Sequence, residues 1–97
     1  MGRKEQAIVI NEKDNVATAL KGLSAGTEVS VEFQDRVEKI KLLSDIPPGH
    51  KFALKDIGQG DAVMKYGESI GYSTGKITRG EHVHVHNVVS QPRVTPP

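Results

Sequence analysis

Ile57-Gly58-Gln59-Gly60-Asp61-Ala62-Val63 and Ile77-Thr78-Arg79-Gly80-Glu81-His82-Val83 follow one plan: an aliphatic residue, two others, glycine, two others, then an apolar residue. An acid follows the glycine in both. The plan recurs more loosely at Leu23-Gly26-Val29 and Ile46-Gly49-Phe52, making four copies in 97 residues. Glycine accepts the backbone of a tight turn, so each copy reads as a turn feeding a short strand whose second or third residue enters a core. Four such units predict a compact body of many short, sharply turned strands. The spacing is irregular and the chain short, which argues against a solenoid.

Working outward, Ala7-Ile8-Val9-Ile10 is a short apolar run that reads as a buried strand. Val29, Val31 and Phe33 alternate with Glu28, Ser30 and Glu32, the pattern of a half-buried strand. Gln34-Asp35-Arg36 then turns the chain into a second run, where Ile40 and Leu42 alternate with Lys39 and Lys41, predicting a hairpin. One segment reads differently. Asp14 suits an N-cap, and Val16, Leu20 and Leu23 recur at helical spacing, with Gly22 and Gly26 as stops. The expected fold is therefore mostly β with one short helix. In Lys65-Tyr66-Gly67-Glu68-Ser69-Ile70-Gly71-Tyr72, two glycines four residues apart imply bulges or close approach of another group. That segment is either a substrate wall with amides open to a carboxylate, or a bent strand in a small barrel.

Histidine is concentrated in one stretch. His82-Val83-His84-Val85-His86 holds three of the four histidines at two-residue spacing, closed by Asn87. On a strand these imidazoles share one face and the valines the other. The row is either a ligand array or a polar strand face. With ~3.3 Å of rise per residue the outer rings start ~13 Å apart, too far for one ion unless the strand bends. Two neighbouring rings plus a donor from elsewhere form the workable set. His50 is the obvious donor, because Pro48-Gly49 suits the centre of a type II turn that would place His50 at a strand start. Taken alone, His50 reads as an ordinary surface or core residue.

The bulk composition narrows the function classes. A chain of 97 residues is one small domain, and 4% aromatic content leaves the core to Val, Ile, Leu and Ala. The absence of cysteine excludes disulfides and thiolate metal sites and fits a reducing compartment. A net charge of +1 with interspersed signs gives no basic stripe, so no nucleic-acid partner is expected. No apolar run approaches a membrane span, and Gly2-Arg3-Lys4-Glu5-Gln6 is not followed by a signal-peptide core, so a cytoplasmic location and no membrane partner are expected. Residues 1–90 read as the domain. Residues 91–97 are a Pro-rich tail, loose or ordered only against a partner.

Ile46-Pro47-Pro48-Gly49-His50-Lys51-Phe52-Ala53-Leu54, Tyr66-Gly67-Glu68-Ser69-Ile70-Gly71 and Gly80-Glu81-His82-Val83-His84-Val85-His86-Asn87, with the Asp14–Leu20 segment, resemble the family of altronate dehydratase and the small subunit of sulfolactate sulfo-lyase. The resemblance implies a SAF domain, a β-clip fold related to antifreeze-like domains. It also implies that a large catalytic dehydratase chain or region works beside this one. The implied reaction is elimination of water or sulfite from an anionic sugar acid such as altronate or galactarate, or from sulfolactate, giving a 2-keto acid. The implied cofactor is a divalent metal, Fe2+ in the dehydratases, with Mn2+ or Zn2+ as alternatives.

On this resemblance His84 and His86 are metal-ligand or leaving-group contacts, and His50 is a third metal ligand or a proton shuttle. Lys51 is a catalytic and carboxylate-steering candidate, and Tyr66 and Gly67 complete the substrate contacts. His82 fits the family pattern less firmly. On a regular strand His50 and Lys51 would point to opposite faces. Two other readings stand beside a non-autonomous lyase subunit: a stand-alone module binding metal or an acidic carbohydrate, and an assembly module with no use for the histidines. Exposed strand edges also allow a homo-oligomer.

Overall fold

The computed structural model describes residues 7–9, 11–33 and 36–91. Nine short strands follow in order: β1 Ala7–Ile8, β2 Val16–Ala19, β3 Glu28–Glu32, β4 Val37–Lys41, β5 Lys51–Ala53, β6 Ala62–Lys65, β7 Glu68–Ser73, β8 His82–Val83 and β9 Val88–Val89. They form a four-stranded sheet β1-β2-β5-β8, the hairpin β3-β4 and a three-stranded sheet β6-β7-β9. Every pairing is antiparallel.

The repeated plan is a structural unit. Gly26, Gly49, Gly60 and Gly80 have φ of 85°, 80°, 81° and 88°, each at the third position of a turn. These turns close through Thr27 N–H to Ser24 O, His50 N–H to Pro47 O, Asp61 N–H to Gly58 O and Glu81 N–H to Thr78 O, at 2.9–3.1 Å. A positive φ there is the type II geometry, which is why the glycines recur. Gly80 has a second reason, since a Cβ would collide with the Lys41 carbonyl. The leading aliphatic residues pair in twos: Leu23 with Ile46 and Ile57 with Ile77, each through two reciprocal backbone bonds of 2.7–2.9 Å. The closing residues Val29, Phe52, Val63 and Val83 are all fully buried.

Two cores result. One gathers Leu23, Val29, Val31, Ile40, Leu42, Ile46 and Phe52, and the hairpin alternation supplies Val29 opposite Ile40. The other gathers Val16, Ala53, Ile57, Val63, Ile77 and Val83. They lie on the two faces of the β2-β5 pair, because successive residues such as Phe52 and Ala53 point opposite ways.

The expected helix is absent from the described residues. Val16–Ala19 is strand β2, paired on one side with β1 and on the other with β5. The helical spacing was a coincidence of composition: Val16 and Leu23 enter different cores, and Leu20 is 47% exposed. Asp14 caps no helix. Its buried carboxylate accepts the Tyr66 and Gly67 amides at 3.0 and 2.8 Å, and Asn15 is bonded to the Met64 amide and the Ala62 carbonyl. These long-range bonds pull the chain out straight where local spacing alone would coil it. The β3–β4 turn at Gln34 and Asp35 and the tail from residue 92 lie outside the described residues. No helix among the described residues is long and apolar enough to cross a membrane.

Candidate functional site

The histidines converge at one end of the β5–β8 pair. Phe52 lies opposite His82 and Lys51 opposite Val83. Continuing that register by one residue sets His50 across from His84, and their rings stack with centroids 3.9 Å apart and planes 16° apart. His50 Nδ1 and His82 Nε2 are 2.9 Å apart, so one ring donates and the other accepts. Facing nitrogens of His50, His82 and His84 all lie within 4.8 Å of one another. His86 stands outside this triad, with its ring 5.0 Å from that of His82. The structure thus groups His50, His82 and His84 most tightly, with His86 beside them.

The row of histidines is not a straight strand. β8 ends at Val83, and Asn87 folds the chain back. The Asn87 side chain accepts the His84 amide and donates to the His82 carbonyl, both at 2.9 Å, and its own N–H donates to His84 O at 3.1 Å. This bend removes the ~13 Å obstacle that a straight strand imposes. Val85 sits at its apex.

Lys51 leaves β5 on the other face from His50, yet both adjoin His84. His84 stacks on His50 and also lines, with Lys51, Ile70, Val85, Val88 and Val89, a cleft of about 240 Å³. Ile70 is the extra residue where the β6–β7 register slips, and Gly71 beside it has room only for hydrogen, since a Cβ would meet Val88 and the Val89 carbonyl. Tyr66 and Gly67 form the two-residue turn of the β6–β7 hairpin, with φ of 56° and 77°. Both of their amides are taken by Asp14, so this turn holds an internal carboxylate.

The electrostatics favour the neutral form of two of the rings, His82 and His84. Burial, followed by repulsion from His86, His50, His84 and Lys51, lowers the His82 pKa. Partial burial, then His50, Lys51 and His86, lowers that of His84. Lys51 is lowered by burial and then by Lys65. A neutral imidazole keeps a lone pair for a metal, and three of them in reach of one point suit a divalent ion of borderline softness. The 2.9 Å separation between His50 and His82 also approximates the edge between two neighbouring ligands with bonds of ~2.1 Å. The residues present therefore fit a metal ion.

The structure groups His82, which fits the family pattern less firmly, with His50 and His84, while Asp14 holds the Tyr66–Gly67 turn and Asn87 bends the histidine run. The Asn that closes the histidine run was the available signal, since Asn bonds readily to nearby backbone and starts turns.

The sequence matches the altronate/galactarate dehydratase SAF domain family over residues 5–91. This chain belongs to that family. Its SAF domain is 51% identical over 82 residues to altronate dehydratase of Escherichia coli (strain K12), covering 84% of this chain and 16% of that protein. It is 40% identical over 84 residues to galactarate dehydratase (L-threo-forming) of the same organism, covering 84% and 15%. It is 37% identical over 84 residues to the (2R)-sulfolactate sulfo-lyase subunit alpha of Chromohalobacter salexigens, covering 82% and 89%. The SAF domain thus spans about a sixth of the dehydratases it matches and most of the sulfo-lyase subunit. The all-sheet architecture agrees with the fold that the resemblance implied.

Proposed function

We propose that this SAF domain is the non-autonomous small part of a lyase that removes water, or sulfite, from a 2-hydroxy acid of the altronate, galactarate or sulfolactate kind. The observation that carries this reading is the convergence of His50, His82 and His84 from two distant turns into one set of nitrogen donors. Those three would hold a divalent ion, which we take to be Fe2+ with Mn2+ or Zn2+ as substitutes. When bound, such an ion supplies stabilisation of the negative charge that develops on substrate oxygens as the α-proton leaves.

We assign the other roles by residue type. His50, stacked against both His82 and His84, is the proton shuttle if it is not the third ligand. His86, next to His82 and exposed, meets the departing group. Tyr66 offers an exposed phenol to a substrate hydroxyl, and Gly67 sets the turn that carries it. Most of the proton chemistry falls to the large chain or region, because no acidic side chain belongs to the triad that could serve as its base.

The test is reconstitution. The SAF chain is mixed with its cognate large chain and Fe2+, and 2-keto acid formation from altronate, galactarate and sulfolactate is followed. Turnover by the pair and none by this chain alone is expected. Equilibrium binding of Fe2+, Mn2+ and Zn2+ to this chain, with and without His82→Ala, gives a readout besides activity. Full metal retention in His50→Ala, His82→Ala and His84→Ala would remove the triad from the reading.

A further inference from the structure

The cleft beside the histidine triad is lined chiefly by aliphatic side chains. A polyhydroxylated acid gains little from such walls, and its hydroxyls lose water there without finding partners. The lining suits a protein side chain better. Val85 projects from the apex of the Asn87-braced turn with 81% of its surface exposed. Ile70 is pushed outward by the bulge and is also exposed. Apolar side chains held rigidly at the lip of an apolar recess resemble the core of an interface.

The charge pattern points to the occupant. Lys51 and His84 are the titratable residues lining the cleft, and no acidic side chain lines it among the described residues. Lys51 is half-buried and has no acidic partner among the described residues. A partly desolvated cation of this kind calls for a carboxylate from outside. Related dehydratases carry this domain as about a sixth of a longer chain, and a related sulfo-lyase carries it as a subunit.

We infer that this cleft seats the large catalytic chain or region of the lyase, with an aliphatic or aromatic side chain entering between Ile70, Val85 and Val88 and an adjacent Asp or Glu meeting Lys51. The inference rests on the lyase reading above and adds the surface through which the two parts meet. It places the metal-ligand candidates at the edge of that surface, so the reaction would take place between the two parts.

A photo-crosslinking residue, p-benzoylphenylalanine, placed at Val85 in the full chain and expressed in the source cells, tests this. Val37 on β4, which is exposed but does not line the cleft, carries the control. The expected result is an adduct from Val85 to a peptide of the dehydratase-homologous chain or region with an Asp or Glu nearby, and none from Val37. Val85→Asp, at an exposed site, should leave the thermal melt unchanged and weaken co-purification about tenfold or more. An adduct only to a second copy of this chain overturns the inference. So does an adduct from Val37 but not Val85, and in that case the lyase reading survives. If the recovered complex turns over none of altronate, galactarate and sulfolactate, the lyase reading falls and takes this inference with it.

Discussion

Two pairs of turns are built to one pattern but end differently. In both, leading aliphatic residues bridge reciprocally, and an aspartate just before one of them accepts an amide in the partner turn: Asp45 from Ala25 at 2.8 Å, Asp56 from Arg79 at 2.9 Å. In the Ile57–Ile77 pair the residue after the turn glycine is Asp61 or Glu81, and each carboxylate reaches back to the first amide of its own turn. In the Leu23–Ile46 pair the corresponding residues are Thr27 and His50. His50 caps nothing in its turn and faces His82 and His84 instead. A position that closes a turn in one pair is free in the other to face the histidine cluster. The backbone holds either choice, because the glycine and the bridge fix the turn without that side chain.

The sharpest way to break the comparison is through the glycines. Gly60→Ala meets no neighbour, so it should cost about 1–2 kcal/mol, the penalty of a left-handed backbone for alanine. Gly80→Ala must also displace the Lys41 carbonyl, and should cost well beyond that or prevent folding. Urea denaturation of the pair separates the two values; equal losses would mean that the turns are equivalent after all.

Asp14→Ala comes next. It strands the Tyr66 and Gly67 amides at the hairpin turn, and a loss of about 2–3 kcal/mol is expected for charge-assisted bonds of this kind. Backbone amide exchange at residues 66 and 67 should rise with it.

Acidification should weaken the histidine end selectively. His82 and His84 have lowered values in the folded state, whereas the unfolded chain takes up their protons near pH 6.5. Below that value the unfolded state binds more protons, so stability is complete above about pH 6.5 and falls as pH drops through the folded values. Urea midpoints between pH 7.5 and 5 should follow this slope in the wild type and flatten in the His82→Gln, His84→Gln double variant.

The smallest effects compare the released and retained caps. Asp61→Ala and Glu81→Ala should each cost about 0.5–1 kcal/mol, the worth of one exposed-site hydrogen bond. His50→Ala should cost no turn cap and yet abolish tight binding of a divalent ion, as read by calorimetric titration. A His50 variant as unstable as the Asp61 variant with metal binding intact would reverse the contrast.

Much of this was legible in the sequence. Glycines at fixed offset from aliphatic residues identified all four turns, because a positive φ restricts residue choice so strongly. Alternation identified the β3–β4 hairpin. The failures were places where distant bonds override local spacing. Val16, Leu20 and Leu23 have helical spacing, but Asp14 and Asn15 are tied to the β6–β7 hairpin some 50 residues on. Two-residue spacing spoke for a straight histidine strand, yet one Asn side chain bends it. Which imidazoles meet depends on the register between β5 and β8, and a chain's own sequence does not spell out a register between segments 30 residues apart.

The contact between His50 and His82 joins residues 32 apart in the chain. Their proximity is therefore a property of the native ensemble and has no counterpart in the disordered one. An ion that binds there draws on the folding equilibrium, raising stability by about 2.7 kcal/mol at a hundredfold excess over its dissociation constant. In a small domain that is a large share of the whole, so ion availability would set how much of the chain is folded and ready to dock. On the proposed lyase reading, assembly would then follow ion supply without any dedicated regulator.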